Sequence, residues 1–198
     1  MDFSKEYAKK RFFWGIKPNK SVVFVAGLLS RGKALDIGMG EGKNAVFLAK
    51  KGFNVKGVDV SSEAIKKSAI LAKRKNVKIL PECADIKNFN FKCKYDLIIS
   101  TFTLHFLPKK KSLEVLKKIK AFTKPGGFNL VALFIRENSK CSEAMEKRFG
   151  LYLYEVGELK RLYSGWKIVK YAEKKELDNS HGKAHYHNVA IIIAQKVK

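Results

Sequence analysis

The chain of 198 residues has no long apolar run, few cysteines and little arginine, and each shortage excludes a class of protein. No run of about eighteen apolar residues occurs, so we expect no membrane span. The first residues are charged and aromatic, so we expect no secretory signal peptide. The three cysteines, Cys83, Cys93 and Cys141, are odd in number and lack metal-ligand spacing. They indicate free thiols in a reducing compartment, and we expect a cytoplasmic protein.

The charge is strongly one-sided, at +23 from 41 lysines and arginines against 18 acids. Such a balance is typical of nucleic-acid-binding proteins. Only six of the basic residues are arginines, however, and arginine is preferred for bidentate contacts to phosphate and guanine. The lysines are also spread along the whole chain, without a basic arm or tail. A nucleic-acid partner is therefore an alternative that we do not favour, and the positive field would equally attract a small anionic substrate.

The most informative segment is an apolar run that reaches an acid, Asp36, and then three glycines at alternate positions, Gly38, Gly40 and Gly42. A second apolar run ends at Asp59. Glycine lets the backbone turn tightly and lets a ligand lie against it. An acid at the tip of the second strand can hold both hydroxyls of a ribose. The pattern predicts a cofactor that contains a nucleoside; the competing interpretation is a glycine-rich turn without a ligand.

The spacing of the glycines narrows the choice of cofactor. A dinucleotide site has G-x-G-x-x-G, but Lys43 stands where the third glycine would be. A phosphate loop of the Walker type needs Ser or Thr after its lysine, and here Asn44 follows. The observed G-x-G-x-G resembles motif I of the class I S-adenosylmethionine-dependent methyltransferases. That cofactor has a ribose but no phosphate, so close approach to the backbone matters more than an anion cradle.

Hydrophobic periodicity predicts a regular alternation of strands and helices. The predicted strands are 33–37, 54–58, 77–80, 95–100, 128–135, 166–171 and 189–195, and the predicted helices are 22–29, 42–51, one from 61 or 62, 109–122 and 157–164. We expect an α/β fold, a doubly wound and mostly parallel seven-stranded sheet with an antiparallel C-terminal hairpin. One domain spans 1–198, with 1–18 as an N-terminal lid segment. The polar stretch 173–187 is expected to join the last two strands.

Four polar residues follow the predicted strands, namely Asp36, Asp59, Asp85 and Ser100. In a parallel sheet the carboxyl ends of the strands meet at one edge, and ligands bind there. Although these residues are far apart in sequence, we expect them to converge. Asp85 and its neighbour Ile86 resemble the pair of an acid and an apolar residue that contacts adenine in the methyltransferases.

The two acids of the glycine segment each have two interpretations. Asp36 would orient the glycine loop or meet the methionine part of the cofactor, and otherwise it would bind turn amides. Asp59 would accept from the ribose hydroxyls, and otherwise it would cap the next helix. Ser61 or Ser62 could supply that cap instead.

Further cofactor contacts are expected around the loop. Ser100 and Thr101 would lie beside the sulfonium, and Trp14 would fold over the cofactor or pack on the sheet. The predicted cofactor-binding residues are Trp14, Asp36, Gly38, Gly40, Gly42, Asn44, Asp59, Val60, Asp85, Ile86, Ser100 and Thr101.

Histidines are the candidate catalytic residues, because imidazole can carry a proton near neutral pH. We predict His105, His185 and His187 in this role; a structural role for His105 is the alternative. His185 and His187 would share one face of an extended segment, and His181 is near in sequence. A metal site would need a third or fourth ligand with clear geometry, so we predict no metal and a polar lining of the active-site mouth.

Across nearly its whole length the chain resembles the tellurite-resistance methyltransferase family. The resemblance implies a Rossmann-like methyltransferase fold and transfer of a methyl group from S-adenosylmethionine, with S-adenosylhomocysteine as the product. The acceptor would be a small molecule such as tellurite, selenite or another soft nucleophile. The segments that carry the resemblance are Leu35–Asn44, Tyr95–Thr101, Thr123–Leu130 and Glu158–Trp166.

One departure from the family concerns the acceptor, because the family has a His-Arg pair between the last two strands and Glu176–His181 has no arginine. An RNA or protein methyltransferase is a second hypothesis, raised by the charge. The segment Ser100–Thr103 lacks the paired prolines of the adenine N6-methylases, which argues against it. A catalytically inactive cofactor-binding partner protein is the third. The sequence carries no signal for oligomeric state.

Overall fold

In the computed structural model, which describes residues 3–136, 146, 150–178 and 184–197, one sheet is covered by helices on both faces. A 3-10 turn at Leu104–Phe106 follows the fourth strand. The other elements are α1 (Ser4–Tyr7), α2 (Lys20–Ala26), β1 (Lys33–Ile37), α3 (Lys43–Lys50), β2 (Asn54–Asp59), α4 (Ser62–Arg74), β3 (Leu80–Cys83), β4 (Tyr95–Thr101), α5 (Lys109–Ala121), β5 (Thr123–Phe134), α6 (Glu158–Leu162), β6 (Lys167–Asp178) and β7 (His185–Gln195).

The seven strands are ordered β3-β2-β1-β4-β5-β7-β6. Strands β1 to β5 pair with one another in parallel. Strand β7 pairs antiparallel with β5, and β6 pairs antiparallel with β7. The predicted α/β fold with an antiparallel C-terminal hairpin is confirmed. In this order the chain reverses direction beside β1, which is where open sheets bind ligands.

The core forms two layers because side chains alternate across each strand. In β1, Leu35 and Ile37 belong to one layer and Ala34 to the other. Helices α5 and α6 close the first layer, and α2 and α3 close the second. The residues that do so are Val115, Leu116, Ile119 and Leu159 for the first layer, and Val22, Val25, Ala45 and Leu48 for the second.

The third strand lies further along the chain than its apolar run predicts. It is Leu80–Cys83 rather than 77–80. The run stops at Pro81, which cannot donate to a ladder, so periodicity ends the strand there. An edge strand tolerates proline, and Pro81 pairs with Gly57 on the one side where β3 has a neighbour.

The last two strands are longer than predicted, and the 173–187 segment is mostly strand. Strand β6 continues to Asp178, and β7 begins at His185. An edge strand is solvated along one side, so polar residues do not end it, and the ladder to β7 holds it in place. Strand β5 likewise starts at Thr123, before the predicted turn, although Gly126 keeps a turn-like φ of 76°.

A buried chain of hydrogen bonds explains part of the resemblance that lies away from the glycine loop. The Tyr163 hydroxyl donates to the side-chain oxygen Oδ1 of Asn129 at 3.0 Å. The side-chain amide Nδ2 of Asn129 donates to the Thr123 hydroxyl at 2.6 Å. The Thr123 hydroxyl in turn donates to the Ile119 carbonyl at 2.7 Å. All three side chains are fully buried. This chain ties α5, β5 and the turn after α6 together.

The helices were compared with the length and apolarity of membrane-spanning segments. Among the described residues, none of the helices has the length and apolarity that crossing a bilayer requires.

Candidate functional site

Two buried polar side chains lie at the carboxyl edge of the sheet on neighbouring strands. The register of β1 and β4 pairs Asp36 with Ile99 and Ile37 with Ser100, so Asp36 and Ser100 are one position apart and point to opposite faces of the sheet. Both are fully buried. The Asp36 carboxylate and the Ser100 hydroxyl have no hydrogen-bond partner of good geometry among the described residues. Buried polar groups are nearly always paired, so this corner is suited to a ligand that supplies the partners.

Burial also changes the charge of Asp36. Loss of solvation, and then the nearby charge of Asp59, raise the pKa of Asp36 to about 7. The carboxyl group is therefore poised between its two protonation states at neutral pH. A cation placed beside it would favour the charged form.

The glycine loop follows β1 and is held against β2. The amides of Gly38 and Met39 both donate to the Val58 carbonyl, at 2.8 and 3.0 Å. The backbone is left-handed at each of the loop glycines, with φ of 68° at Gly38, 54° at Gly40 and 85° at Gly42. This conformation is readily open to glycine alone, which explains the alternate spacing in the sequence.

A strained residue shapes the other wall of the loop. Phe102, directly after β4, has a φ of 57°, which is unfavourable for a side chain of this size. The bend turns Thr103 back onto the loop, where its hydroxyl is 3.3 Å from the Ile37 carbonyl oxygen. A side chain at Gly38 would collide with Thr103. Such strain concentrates at functional sites.

Asp59 connects the end of β2 to the glycine loop. Its carboxylate accepts from the Gly40 amide at 2.8 Å and from the Ser61 amide at 3.0 Å. Burial raises the pKa of Asp59, which these amide bonds partly offset. The cap of α4 is Ser61, whose hydroxyl accepts from the Ala64 amide at 3.3 Å. Asp59 is thus not the side-chain cap, and its carboxylate instead ties the backbone amides of the glycine loop to those that follow β2.

The segments after β2 and β3 differ in exposure. Val60 is 71% exposed beside Asp59, as an apolar platform for a ligand would be. Ile86 instead is 7% exposed and packs in the core. Although partial burial acts against it, Lys87 holds the pKa of Asp85 below its usual range through hydrogen bonds and charge. At the carboxyl edge of the sheet, the Asp85 side chain is therefore partly exposed to solvent, whereas the Ile86 side chain points into the core.

The N-terminal segment (residues 3–18) lies over the glycine loop. The Trp14 amide donates to the Glu41 carboxylate at 3.1 Å, and Lys67 donates to the same carboxylate at 2.8 Å. The Trp14 indole donates to the Tyr7 hydroxyl at 3.0 Å. A β-carbon at Gly40 would be 3.3 Å from that hydroxyl. The segment is therefore anchored to the loop through Glu41, which is 2% exposed.

Asn44 joins three parts of the chain. Its side-chain oxygen accepts from the Asn19 amide at 3.0 Å, and its amide donates to the Thr101 hydroxyl at 3.2 Å. The side chain is buried at the start of α3. Asn44 and Thr101, both predicted cofactor contacts, are thus partners of each other and fix α3 against β4.

A stack of rings links β5 to the C-terminal hairpin. The ring of Phe134 lies 4.1 Å from that of His105 and 4.2 Å from that of His187, nearly parallel to both. The ring of His185 meets His187 edge-on at 4.6 Å. The predicted catalytic histidines are therefore neighbours in space, joined by one aromatic side chain.

His105 differs from the other two histidines in its burial. It is fully buried, and its Nδ1 accepts from the Phe134 amide at 3.3 Å. Burial, and then the charge of His187, lower the pKa of His105 to about 3. The imidazole is consequently neutral at physiological pH, with its proton on Nε2.

Comparison with known families agrees with this geometry. The family model described as "Tellurite resistance protein TehB" matches residues 4–188, which include the glycine loop and most of the hairpin. The chain belongs to the TehB family. A TehB relative from Haemophilus influenzae, described as a probable S-adenosyl-L-methionine-dependent methyltransferase, is 29% identical over 173 residues. That match covers 84% of the chain and 59% of the relative, so the chain spans well under two thirds of that TehB protein.

Solved structures show the same fold. The crystal structure of TehB from H. influenzae superposes with a TM-score of 0.79 at 25% identity, covering 98% of the chain and 65% of that protein. The N-methyltransferase NodS from Bradyrhizobium japonicum, solved with S-adenosyl-L-homocysteine, gives a TM-score of 0.77 at 16% identity, over 99% of the chain and 97% of NodS. The likeness to NodS extends to the fold alone.

The sequence alone did not indicate several residues of the candidate site. Tyr7, Thr103, Phe134 and Asp178 follow no motif, and only their contacts mark them. Glu41 lies within the glycine segment, but its anchoring role depends on Trp14, which is distant in sequence. Two residues considered in the sequence, His181 and Cys141, lie outside the described residues.

Proposed function

We propose that the chain is an S-adenosylmethionine-dependent methyltransferase that acts on a small molecule. The observation that carries this proposal is the fully buried carboxylate of Asp36 beside the glycine loop, for which the described residues offer no hydrogen-bond partner of good geometry. S-adenosylmethionine has an ammonium group that this carboxylate can pair with. Its ribose has hydroxyls that can donate to the Asp59 carboxylate at the tip of β2. The descriptions of the TehB relative and the S-adenosyl-L-homocysteine bound to NodS support the same cofactor.

Each predicted contact then has a task at the edge of the sheet. Asp36 holds the amino-acid part, Ser100 and Thr101 lie beside the sulfonium at the end of β4, and the loop glycines let the backbone approach closely. Val60 and Asp85 flank the adenine, while Ile86 and Asn44 act from the core by fixing the segments that carry those contacts. Trp14, with the N-terminal segment as a lid, excludes water from the loop. When bound, the cofactor supplies a methyl group on a positively charged sulfur, which is a good leaving group.

The protein's remaining task is to align the acceptor and to manage its proton. A soft anion such as tellurite, selenite or a thiolate carries no proton that must be removed, and the net charge of +23 would attract it. An oxygen or nitrogen acceptor would lose a proton to His185 or His187. His105, neutral and buried, acts as a positioning residue that orients His187 through Phe134.

The direct test is calorimetry with S-adenosylmethionine and S-adenosylhomocysteine, followed by transfer assays with tellurite, selenite and a small thiol. We expect micromolar binding and turnover with at least one soft acceptor. No heat with either ligand would contradict the proposal. Binding without turnover on any acceptor would favour an inactive partner protein, and tight RNA binding with a steep salt dependence would favour a nucleic-acid substrate.

A further inference from the structure

The open end of the β6–β7 hairpin brings a carboxylate and two imidazoles together. Asp178, the last residue of β6, pairs across the ladder with His185, the first residue of β7. His187 follows two positions later, and alternate residues of a strand share one face. The antiparallel register, rather than proximity in sequence, thus supplies a third candidate ligand to the two histidines.

The three side chains form a compact donor set. One ligand atom from each of Asp178, His185 and His187 lies within 4.8 Å of the other two, and the Nε2 of His187 is 3.8 Å from an oxygen of Asp178. Ligand atoms around a tetrahedral zinc ion are about 3.3 Å apart. Small side-chain rotations would therefore close the set around an ion.

The surroundings favour a defined site over a solvated surface pair. The side chains of His187 and Asp178 are 12% and 22% exposed. Phe134 stacks on His187 and fixes the plane of its ring. Partial burial and a fixed ring orientation lower the entropy lost when an ion binds.

We propose that Asp178, His185 and His187 bind a divalent transition-metal ion of the zinc type. Two imidazoles with one carboxylate suit Zn²⁺, Ni²⁺ or Co²⁺ rather than Mg²⁺ or Ca²⁺, which prefer oxygen ligands throughout. Three protein ligands leave at least one coordination position for water or an anion. With the ion bound, His185 and His187 are ligands rather than bases, so the metal-bound form suits a soft anion and not an acceptor that must lose a proton.

The site lies at the carboxyl edge of the sheet, on the side where an acceptor would enter. Strand β6 ends there and β7 begins there, next to the end of β5. Burial lowers the pKa of Lys43 at the start of α3, and the carboxylates of Asp36, Glu41 and Asp178 oppose this shift. The hairpin end is thus within electrostatic range of the glycine loop.

The test is titration of the untagged protein with ZnCl₂ by calorimetry, with MgCl₂ as the comparison ion. We expect one Zn²⁺ per chain and no heat from Mg²⁺. His187→Ala, His185→Ala and Asp178→Asn should each raise the dissociation constant at least about tenfold. Because most of the surface is basic, adsorption of cations elsewhere should be weak.

Matched controls come from the same hairpin. Tyr186→Phe changes a 67% exposed residue between the two histidines, on the opposite face. Glu176→Gln removes an acid that pairs with His187 across the ladder but bonds to Lys174. Both should keep wild-type Zn²⁺ affinity, and thermal unfolding should show that every variant is folded.

A second readout identifies the ligands directly. Co²⁺ bound by these side chains should give visible absorption bands that are lost in His187→Ala and retained in Tyr186→Phe. Absent Zn²⁺ binding would overturn the proposal and leave only a polar contact between Asp178 and His187. Zn²⁺ binding that all three ligand variants leave unchanged would also overturn it. Neither result depends on methyl transfer, so the proposed function stands or falls separately.

Discussion

The glycine loop and the end of the β6–β7 hairpin share one edge of the sheet but are built differently. Around the loop, Asp36 and Asp59 belong to one strand–helix–strand unit, and backbone amides do most of the holding. At the hairpin, His105, Phe134 and Asp178 come from separate elements, and ring stacking, strand register and one hydrogen bond from the Phe134 amide to His105 join this region. The first region is therefore formed by residues close in sequence and held by backbone hydrogen bonds, whereas the second is formed by residues that only the tertiary structure brings together.

This contrast implies that the two regions have different tasks, one towards the cofactor and one towards the acceptor. A local unit that recurs as a sequence motif suits a cofactor that does not change. A site collected from the ends of long strands can vary with the acceptor without disturbing the loop. Substitutions in the first region should then act on cofactor binding, and substitutions in the second on turnover.

The largest effect is expected from Asp59. Asp59→Ala removes the carboxylate that holds the Gly40 amide and that we propose to bind the ribose, and it should weaken S-adenosylhomocysteine binding about 100-fold or more. Calorimetry measures this. Glu63→Gln, at an exposed acid of the next helix paired with Lys66, is the control and should bind normally. Unchanged affinity in Asp59→Ala would remove the ribose role and would break the contrast.

Asp36→Asn should be next in size, with opposite effects on binding and stability. Loss of the negative charge should weaken cofactor binding about tenfold to 100-fold at pH 8. The wild-type affinity should itself fall below about pH 7, because there Asp36 takes up a proton. Binding isotherms at pH 6 and pH 8 check both statements.

The stability of the ligand-free protein should change the other way. Because the folded-state pKa of Asp36 is raised to about 7, its contribution to stability is lost as pH rises from about 4 to 7. Asp36→Asn should therefore raise the free energy of unfolding above pH 7 by up to about 4 kcal/mol and change it little near pH 4. Denaturant unfolding at both pH values measures this. Equal stability of the two proteins at pH 8 would show that burial does not perturb Asp36.

A smaller effect is expected where the N-terminal segment meets the loop. Glu41→Gln keeps the side-chain size but removes the negative charge of the carboxylate that accepts hydrogen bonds from Lys67 and from the Trp14 amide. Local opening should become about tenfold more frequent, seen as faster trypsin cleavage within residues 5–17. Glu63→Gln again serves as the control. Unchanged cleavage would mean that the segment is held by its aromatic contacts alone.

The smallest effect is expected from Phe134→Leu, which tests the second region. The change removes the stack between His105 and His187 and should lower turnover about threefold to tenfold while cofactor affinity stays the same. Phe122→Leu is a matched control, since Phe122 packs on Phe91 away from the site. Equal turnover in both variants would show that ring stacking does not position the histidines.

Much of the first region could be predicted from residues, and little of the second. Glycines with left-handed φ and an acid after an apolar strand leave direct marks on the sequence, so the turn at Gly38 and Gly40 and the strand-end position of Asp59 could be predicted, while their contacts with a cofactor stay a prediction. The strand-end position of Ser100 followed from the topology of parallel sheets. Strand β3 was displaced and β6 was cut short because edge strands tolerate proline and charge, which periodicity interprets as loop.

The sequence by itself determined the alternation of strands and helices, the glycine loop, and the family, because each depends on local periodicity or on glycine geometry. Only the tertiary structure decided that Asp36 and Ser100 would lack hydrogen-bond partners of good geometry within the described part of the chain, that Glu41 would anchor the N-terminal segment, and that Asp178 would lie beside His185 and His187. Those relations depend on burial and on register between strands that are distant in sequence, and neither quantity is visible along a single chain.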